Sequence, residues 1–311
     1  MTDSNSRVPP AAWTVFACSH CGGNLSRAAH GAQCQSCATL FPFTDASAID
    51  LRLQRAKNLK VDFELGAPFA PRVDAFGPLP MKAQPEVDFR SEAVPWHLRR
   101  EVLSYFPRAR SPDSLALDLG CGNGVHRAVC EAAGFGWLGL DYEGADAAIL
   151  GDAHSLPFKT ASFEFVLSVA VMEHLRYPLI VAKEVLRVLK PGGLFIGTVA
   201  FLEPFHGDSF YHHTHLGTYN TLQFAGFEIE RVSPNPEWLS LQAQATMAGL
   251  FPKIPKRLGR AVVWPLGVMH RLWWRAGRLV NKKATETQRL LTNTGAFEFV
   301  ARKPRDSDAR S

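Results

Sequence analysis

Leu115-Ala116-Leu117-Asp118-Leu119-Gly120-Cys121-Gly122-Asn123-Gly124 decides the reading of this chain. Residues 115–119 are a short apolar run broken by one acid, which suits a buried strand. Three glycines follow at alternate positions, and residues 125–133 read as a helix. Glycine lets the backbone turn sharply and lets a ligand approach where a Cβ would stand. In open parallel sheets ligands sit beyond the carboxyl ends of the strands, so this turn marks a binding site as well as a fold.

Working outward, 136–140 reads as a second strand ending in Asp141. Residues 147–150 read as a short third strand ending in Gly151-Asp152, and 163–171 as a fourth. A helix over 179–189 is stopped by Lys190-Pro191-Gly192-Gly193. Residues 194–200, 227–232 and 296–301 supply the fifth, sixth and last strands. A short helix is predicted at 218–225, and apolar residues at i+4 spacing predict another over 91–106. Strands alternating with helices imply an α/β fold, a mostly parallel sheet with helices on both faces.

The acids at the strand ends narrow the ligand. Asp141 is placed to accept two hydrogen bonds from ribose hydroxyls, and Asp152 to meet an adenine amino group. A dinucleotide site would carry a third glycine at 125, where this chain has Val125. Asp118, ahead of the first glycine, suits the cationic end of a methionine moiety better than a pyrophosphate.

This ordered series resembles a class I S-adenosylmethionine (SAM)-dependent methyltransferase of type 11. The likeness runs from Asp118-Leu119-Gly120-Cys121-Gly122-Asn123-Gly124 through Leu140-Asp141 and Gly151-Asp152-Ala153-His154-Ser155-Leu156-Pro157-Phe158. It continues through Ser162-Phe163-Glu164-Phe165-Val166, Met172-Glu173-His174-Leu175 and Glu184-Val185-Leu186-Arg187-Val188-Leu189-Lys190-Pro191-Gly192-Gly193. The resemblance implies a Rossmann-like seven-stranded sheet with an antiparallel last strand. It implies SAM as cofactor, held by Asp118, Gly120, Gly122, Asn123, Asp141, Asp152, Ala153 and Ser168. Gly120 and Gly122 would line the methionine part, Asp141 the ribose, and Asp152 with Ala153 the adenine. Ser168 or Val169 would flank the sulfonium. The chain departs from the pattern between Asp141 and Asp152, where only a very short helix fits.

Methyl transfer is an in-line displacement for which the protein mainly supplies orientation and desolvation. The loop after the fifth strand carries His206, His212, His213 and His215. Histidine titrates near neutral pH, so His213 or His206 is a candidate general base. Glu173, His174 and His215 are candidate substrate contacts. A second metal site and plain loop packing are the other readings of this cluster. Glu173 can also favour a helix N-terminus.

Near the N-terminus Cys18-Ser19-His20-Cys21 and Cys34-Gln35-Ser36-Cys37 are twelve residues apart. Paired CxxC units offer four thiolates for tetrahedral zinc, so Cys18, Cys21, Cys34 and Cys37 are the expected ligands of a structural ion. The segment is similar to a small zinc-ribbon family that includes the activator subunit of tRNA and protein methyltransferases. The zinc head of a bacterial ribosomal-RNA guanine methyltransferase is alike too. That likeness raises RNA as an acceptor.

The domain reading is a tail over 1–15, a zinc-ribbon segment over 16–51 and a proline-containing linker over 52–90. A methyltransferase domain follows over 91–304, with a basic helical insertion at about 235–292, and then a tail over 305–311. Within the insertion, residues 251–283 hold nine Lys or Arg and no acid. Met269, Leu272, Trp273, Ala276 and Val280 can share one helix face. A basic amphipathic helix with tryptophans suits a peripheral membrane surface or RNA, unless its apolar stripe covers the domain. The net charge of +5 permits an anionic partner without demanding one. No signal peptide or apolar run of spanning length is visible, which points to the cytoplasm.

Three functions follow from these readings. The first is a methyltransferase acting on a small-molecule, glycan or lipid-linked acceptor. The second is an RNA methyltransferase gripping its substrate with the ribbon. The third is a non-catalytic binding module.

Overall fold

The computed structural model describes residues 7–45, 47–63, 66, 69–247, 250 and 253–305. The outer ends of both expected tails (1–6 and 306–311), position 46 of the ribbon segment, four linker positions (64, 65, 67 and 68) and positions 248–249 and 251–252 of the insertion lie outside the described residues.

The N-terminal segment forms a three-stranded antiparallel sheet, β1 (Leu25–Ala28), β2 (Gly31–Cys34) and β3 (Leu40–Pro42), followed by β4 (Ile49–Asp50). After an extended stretch come α1 (Arg100–Leu103), β5 (Leu115–Leu119), α2 (Arg127–Ala132), β6 (Gly136–Asp141), β7 (Ile149–Leu150) and β8 (Phe163–Val169). Then follow α3 (Pro178–Val188), β9 (Leu189–Ala200), α4 (His215–Ala225) and β10 (Glu228–Pro234). The insertion holds α5 (Ser240–Thr246), α6 (Lys256–Val280) and α7 (Glu286–Asn293), and β11 (Ala296–Arg302) closes the fold.

The main sheet runs β10-β11-β9-β8-β5-β6-β7-β4. From β9 to β4 every pairing is parallel, whereas β11 is antiparallel to both neighbours. The α/β class and the antiparallel last strand agree with the sequence reading. The seven expected strands, β5 to β11, are present, and an eighth is added from outside them. β4, read as part of the ribbon segment, pairs Ile49 with Ile149 and Asp50 with Leu150. The reason lies in β7, a two-residue strand that would otherwise leave a bare sheet edge.

β5 is buried on both faces. Leu115, Leu117 and Leu119 enter one core with α3, α4 and the ribbon, while Ala116 enters the other with α1 and α2. Full burial of each leucine contributes about 1.5–3 kcal/mol. The ribbon shares the first core: Phe16 stacks on Phe158 at 6.1 Å, and Ser155 Oγ–H donates to the Ser19 carbonyl at 2.7 Å.

Three expectations are corrected. Residues 7–15, read as tail, pack into the fold through a 3₁₀ turn at Pro10–Thr14, with Val8 and Ala12 buried. The helix over 91–106 shrinks to α1, because His97 takes a left-handed backbone (φ 65°) that a helix cannot carry. The crossover from β6 to β7 contains no helix at all.

The apolar stripe of α6 does not cover the domain. Gly259 and Val263 are its buried residues, at the end that packs on α5. Trp273 is 78% exposed and Val280 94%. No helix among the described residues is long and apolar enough to cross a membrane.

Candidate active site

The chain reverses its direction of travel through the sheet at β5: β6 and β7 lie to one side, β8 and β9 to the other. A cleft opens at such a switch point, beyond the carboxyl ends of the strands. Here it is a cavity of about 620 Å³. Gly120 contributes the β5 turn, Asp141 the end of β6, Asp152 and Ala153 the turn after β7, and Ala170 and Val171 the end of β8.

Backbone geometry explains the glycines. Gly120, Gly122 and Gly124 have φ of 72°, 50° and 66°, the left-handed region that side chains resist. Asp141 clamps the loop: its Oδ2 accepts from the Gly122 N–H at 2.9 Å and its Oδ1 from the Glu143 N–H at 3.0 Å. Asp152 caps the turn after β7, accepting from the His154 backbone at 2.9 Å and from its ring Nδ1 at 2.7 Å. Burial alone would push its carboxyl up, but the His154 hydrogen bonds and charge hold it below the usual value.

Several expected contacts sit elsewhere. Asp118 is buried under the loop, where Trp137 Nε1–H donates to its Oδ2 at 3.0 Å and His126 Nδ1 lies 3.6 Å from its Oδ1. It braces the turn instead of lining the cavity. Ser168 is fully buried inside β8, so the residues two and three further on, Ala170 and Val171, line the wall. Asn123 is exposed and outside the lining, and Gly122 reaches the site only through its bond to Asp141.

The histidines divide. His174 lines the cavity, and its ring lies 5.2 Å from that of His206. Glu173 completes this group: the Glu173, His174 and His206 ligand atoms all lie within 4.8 Å of one another. Glu173 is wholly buried, and neither carboxylate oxygen has a hydrogen-bond partner among the described residues. Burial pushes its carboxyl up to about 7. His213, the first candidate base, is buried beside a different cavity with Pro178 and Thr221, and burial lowers its pKa. His215 is wedged between Phe76 and Phe297 at 5.0 and 5.6 Å, a packing position at the start of α4. Of the two candidate bases, His206 alone adjoins the strand-end cavity group.

A second cavity of about 660 Å³ adjoins the first, and the sequence reading missed it. Trp96, His97, Thr198, Trp238 and Arg260 are among its lining. The walls of the two cavities touch where the Ala170 N–H, of the first, donates to Thr198 Oγ1, of the second, at 3.0 Å. The tryptophans come from the extended stretch and the insertion, more than 140 positions apart, so spacing alone carries no signal of their meeting. Trp238 Nε1–H donates to buried Glu203 at 2.8 Å.

The four N-terminal cysteines converge. Cys18 Sγ is 3.7 Å from Cys37 Sγ, and Cys21 Sγ is 3.5 Å from Cys34 Sγ. Tetrahedral zinc with bonds of about 2.3 Å sets its sulfurs roughly 3.8 Å apart. The Ser36 and Cys37 N–H groups point at Cys34 Sγ, both at 3.4 Å, as donors to a thiolate do. The donor set therefore fits a structural zinc ion.

Residues 117–197 match the methyltransferase domain family. Two relatives are similar to parts of the chain. It is 39% identical over 107 residues to an Encephalitozoon cuniculi protein described as a methyltransferase, covering 32% of this chain and 49% of the relative. It is 28% identical over 174 residues to a Mycolicibacterium smegmatis protein described as an S-adenosylmethionine-dependent methyltransferase, covering 49% of this chain and 66% of that one. The chain thus spans about half to two thirds of the length of these relatives. Among solved structures, a chain from the complex of the Haloferax volcanii Trm112 methyltransferase activator with a methyltransferase aligns at 21% identity. It covers 68% of this chain and 90% of that one, with a TM-score of 0.46. The SAM complex of Haemonchus contortus phosphoethanolamine N-methyltransferase 2 aligns at 18% identity, over 64% of this chain and 50% of that one, with a TM-score of 0.38.

Proposed function

We propose, from the premise that residues 117–197 are a methyltransferase domain, that this protein transfers a methyl group from SAM to a lipid-linked acceptor at an anionic membrane surface. The strand-end cavity is the cofactor site. Gly120 leaves room for the methionine part, Asp141 accepts from the ribose and Asp152 with Ala153 meets the adenine. The adjoining cavity with Trp96 and Trp238 takes the acceptor. The methyl group would pass between them, near Ala170 and Val171.

One observation carries the acceptor class. Arg260 of α6 is part of the acceptor cavity wall, and the same helix runs on with an apolar stripe left in solvent. Leu258, Val262, Leu266, Met269 and Trp273 are all more than half exposed or close to it. Nine flanking cations with no acid complement anionic headgroups. A helix so built lies in the interface and holds the cavity mouth where an amphiphile is presented. The ribbon, by contrast, is stitched to the cofactor side through Ser19 and Ser155, which supports a structural role more than a grip on RNA.

The test is flotation of the full-length, zinc-loaded protein with vesicles of neutral lipid alone or with anionic lipid added. Binding should require the anionic lipid and fall at high salt, and Trp273→Glu should abolish it while SAM affinity stays unchanged. Salt-dependent RNA binding with no vesicle binding would replace the lipid acceptor by RNA. Failure of the folded protein to bind SAM would remove the enzymatic reading altogether.

A further inference from the structure

We infer that Glu173, His174 and His206 form a divalent-cation site on the wall of the cofactor cavity, suited to a zinc-class ion that also ligates an acceptor oxygen. The last clause rests on the methyltransferase reading; the cation site itself does not.

Three observations carry it. The first is the set of atoms. Two imidazoles and one carboxylate offer ligand atoms within 4.8 Å of one another. Around a four-coordinate ion with bonds of about 2.1 Å, neighbouring ligands stand roughly 3.4 Å apart. Closing the set therefore asks each side chain to shift by about an ångström or less. The second is the state of Glu173, which is 0% exposed with both oxygens unpartnered among the described residues. A buried carboxylate without a partner is costly, and native proteins give such groups a counter-charge or a metal.

The third is the way the imidazoles are held. His206 Nδ1 lies 3.1 Å from the Pro204 carbonyl and donates to it, which leaves Nε2 with its lone pair free. The His174 ring lies against the backbone of the same loop at Gly207. Metal-binding histidines are oriented in this manner, one ring nitrogen on a carbonyl and the other on the ion. The loop that supplies this carbonyl is tied to the same centre, because the Phe210 and Tyr211 N–H groups both donate to the Glu173 carbonyl, at 2.7 and 3.1 Å. Gly207 takes a left-handed turn (φ 49°) that lays the backbone against His174, where a Cβ would stand 3.6 Å from Cε1.

Three protein ligands leave at least one coordination position open, as catalytic metal sites do. His174 lines the cofactor cavity, so an ion that it holds stands at the wall of that cavity. A hydroxyl or phenol oxygen is the acceptor group that such an ion would hold. The group is separate from the cysteine site, which prefers soft thiolate-bound metals.

Full-length protein carrying one equivalent of zinc, enough for the cysteine site alone, titrated with Co²⁺ and followed by visible absorption tests this. Wild type should show a saturable d–d band free of thiolate charge transfer. Glu173→Gln and His206→Ala should each weaken Co²⁺ binding by more than about tenfold, the lower end of what even outer-shell changes cost. His206 is half-buried, so its variant remains informative if Glu173→Gln fails to fold. SAM affinity of the same samples reports folding. Absence of a cobalt band in wild type, equal affinity in the variants, or a thiolate band alone would each overturn the site. Cobalt binding with no SAM binding would leave the site standing and remove the methyltransferase reading instead.

Discussion

Gly120→Ala tests the cofactor loop most sharply. Gly120 sits at φ 72°, and a Cβ built on it would fall 2.7 Å from Val171 Cγ1 and closer still to Val171 Cγ2. Two costs follow. Placing alanine in the left-handed region costs about 1–2 kcal/mol, and forcing methyl groups into an occupied space about 1–3 kcal/mol. The single substitution should therefore destabilise the fold by about 2–5 kcal/mol. It should also weaken SAM by more than about tenfold, because Val171 can retreat only into the cavity it lines. The second perturbation separates the costs. Val171→Ala removes both Cγ atoms and leaves the Cβ at 3.1 Å, so it relieves most of the clash and none of the backbone cost. Urea unfolding and SAM calorimetry on wild type, both single variants and the double variant close a double-mutant cycle. A coupling of about 1–3 kcal/mol in favour of the double variant is expected. Strict additivity would show that Gly120 and Val171 do not meet, and the placement of the cofactor against them would fall with it.

Asp141→Ala removes the clamp on the Gly122 N–H and, in the proposed site, the acceptor for the ribose, so SAM affinity should drop at least about tenfold; unchanged calorimetry would mean the strand-end cavity is not the cofactor site. Burial, with the charges of His126 and His206, lowers His97 from its ordinary 6.5 to about 4. Its neutral form is the folded one, so that stability is complete above pH 6.5 and lost as pH falls toward about 4, by about 3 kcal/mol in all. His97→Asn, which tolerates the left-handed backbone, should flatten this acid slope in denaturant titrations read by Trp96 and Trp238 fluorescence; an unchanged slope would contradict the assignment. Treating the protein with a chelator that would strip an ion from the four cysteines, or Cys34→Ser, should lower thermal stability and SAM affinity together, because Ser19 holds Ser155 just beyond Asp152 and Ala153. A chelated protein with native SAM affinity would show the ribbon to be an independent appendage.

Much of the donor half of this protein was legible in the chain. Leu115–Leu119 and the glycines after it encode a strand and a turn through local sterics alone. The acids at 141 and 152 end short apolar runs, and a residue at a strand end goes where the strand goes. The same locality misled at Asp118 and Ser168. Both stand near strand ends, but alternation turns their side chains into the sheet's flanks, away from the cavity. The amphipathic pattern of α6 was readable too, whereas whether anything covers its stripe was not.

The acceptor half depended on long-range packing. Four histidines in ten residues look alike as letters, yet the fold sends His206 to Glu173 and His174, His213 to another cavity and His215 between two phenylalanines. Irregular loops carry no periodicity from which side-chain direction can be read, so contacts with distant elements decide it. The joining of Trp96 to Trp238, and the addition of Ile49–Asp50 to the sheet edge, have the same origin. The sequence by itself determined what short-range sterics and periodicity encode: the glycine turn, the strand and helix order and the paired thiols. Only the tertiary structure decided which side chains converge on one point, because that depends on where chain segments far apart in sequence come to rest against each other.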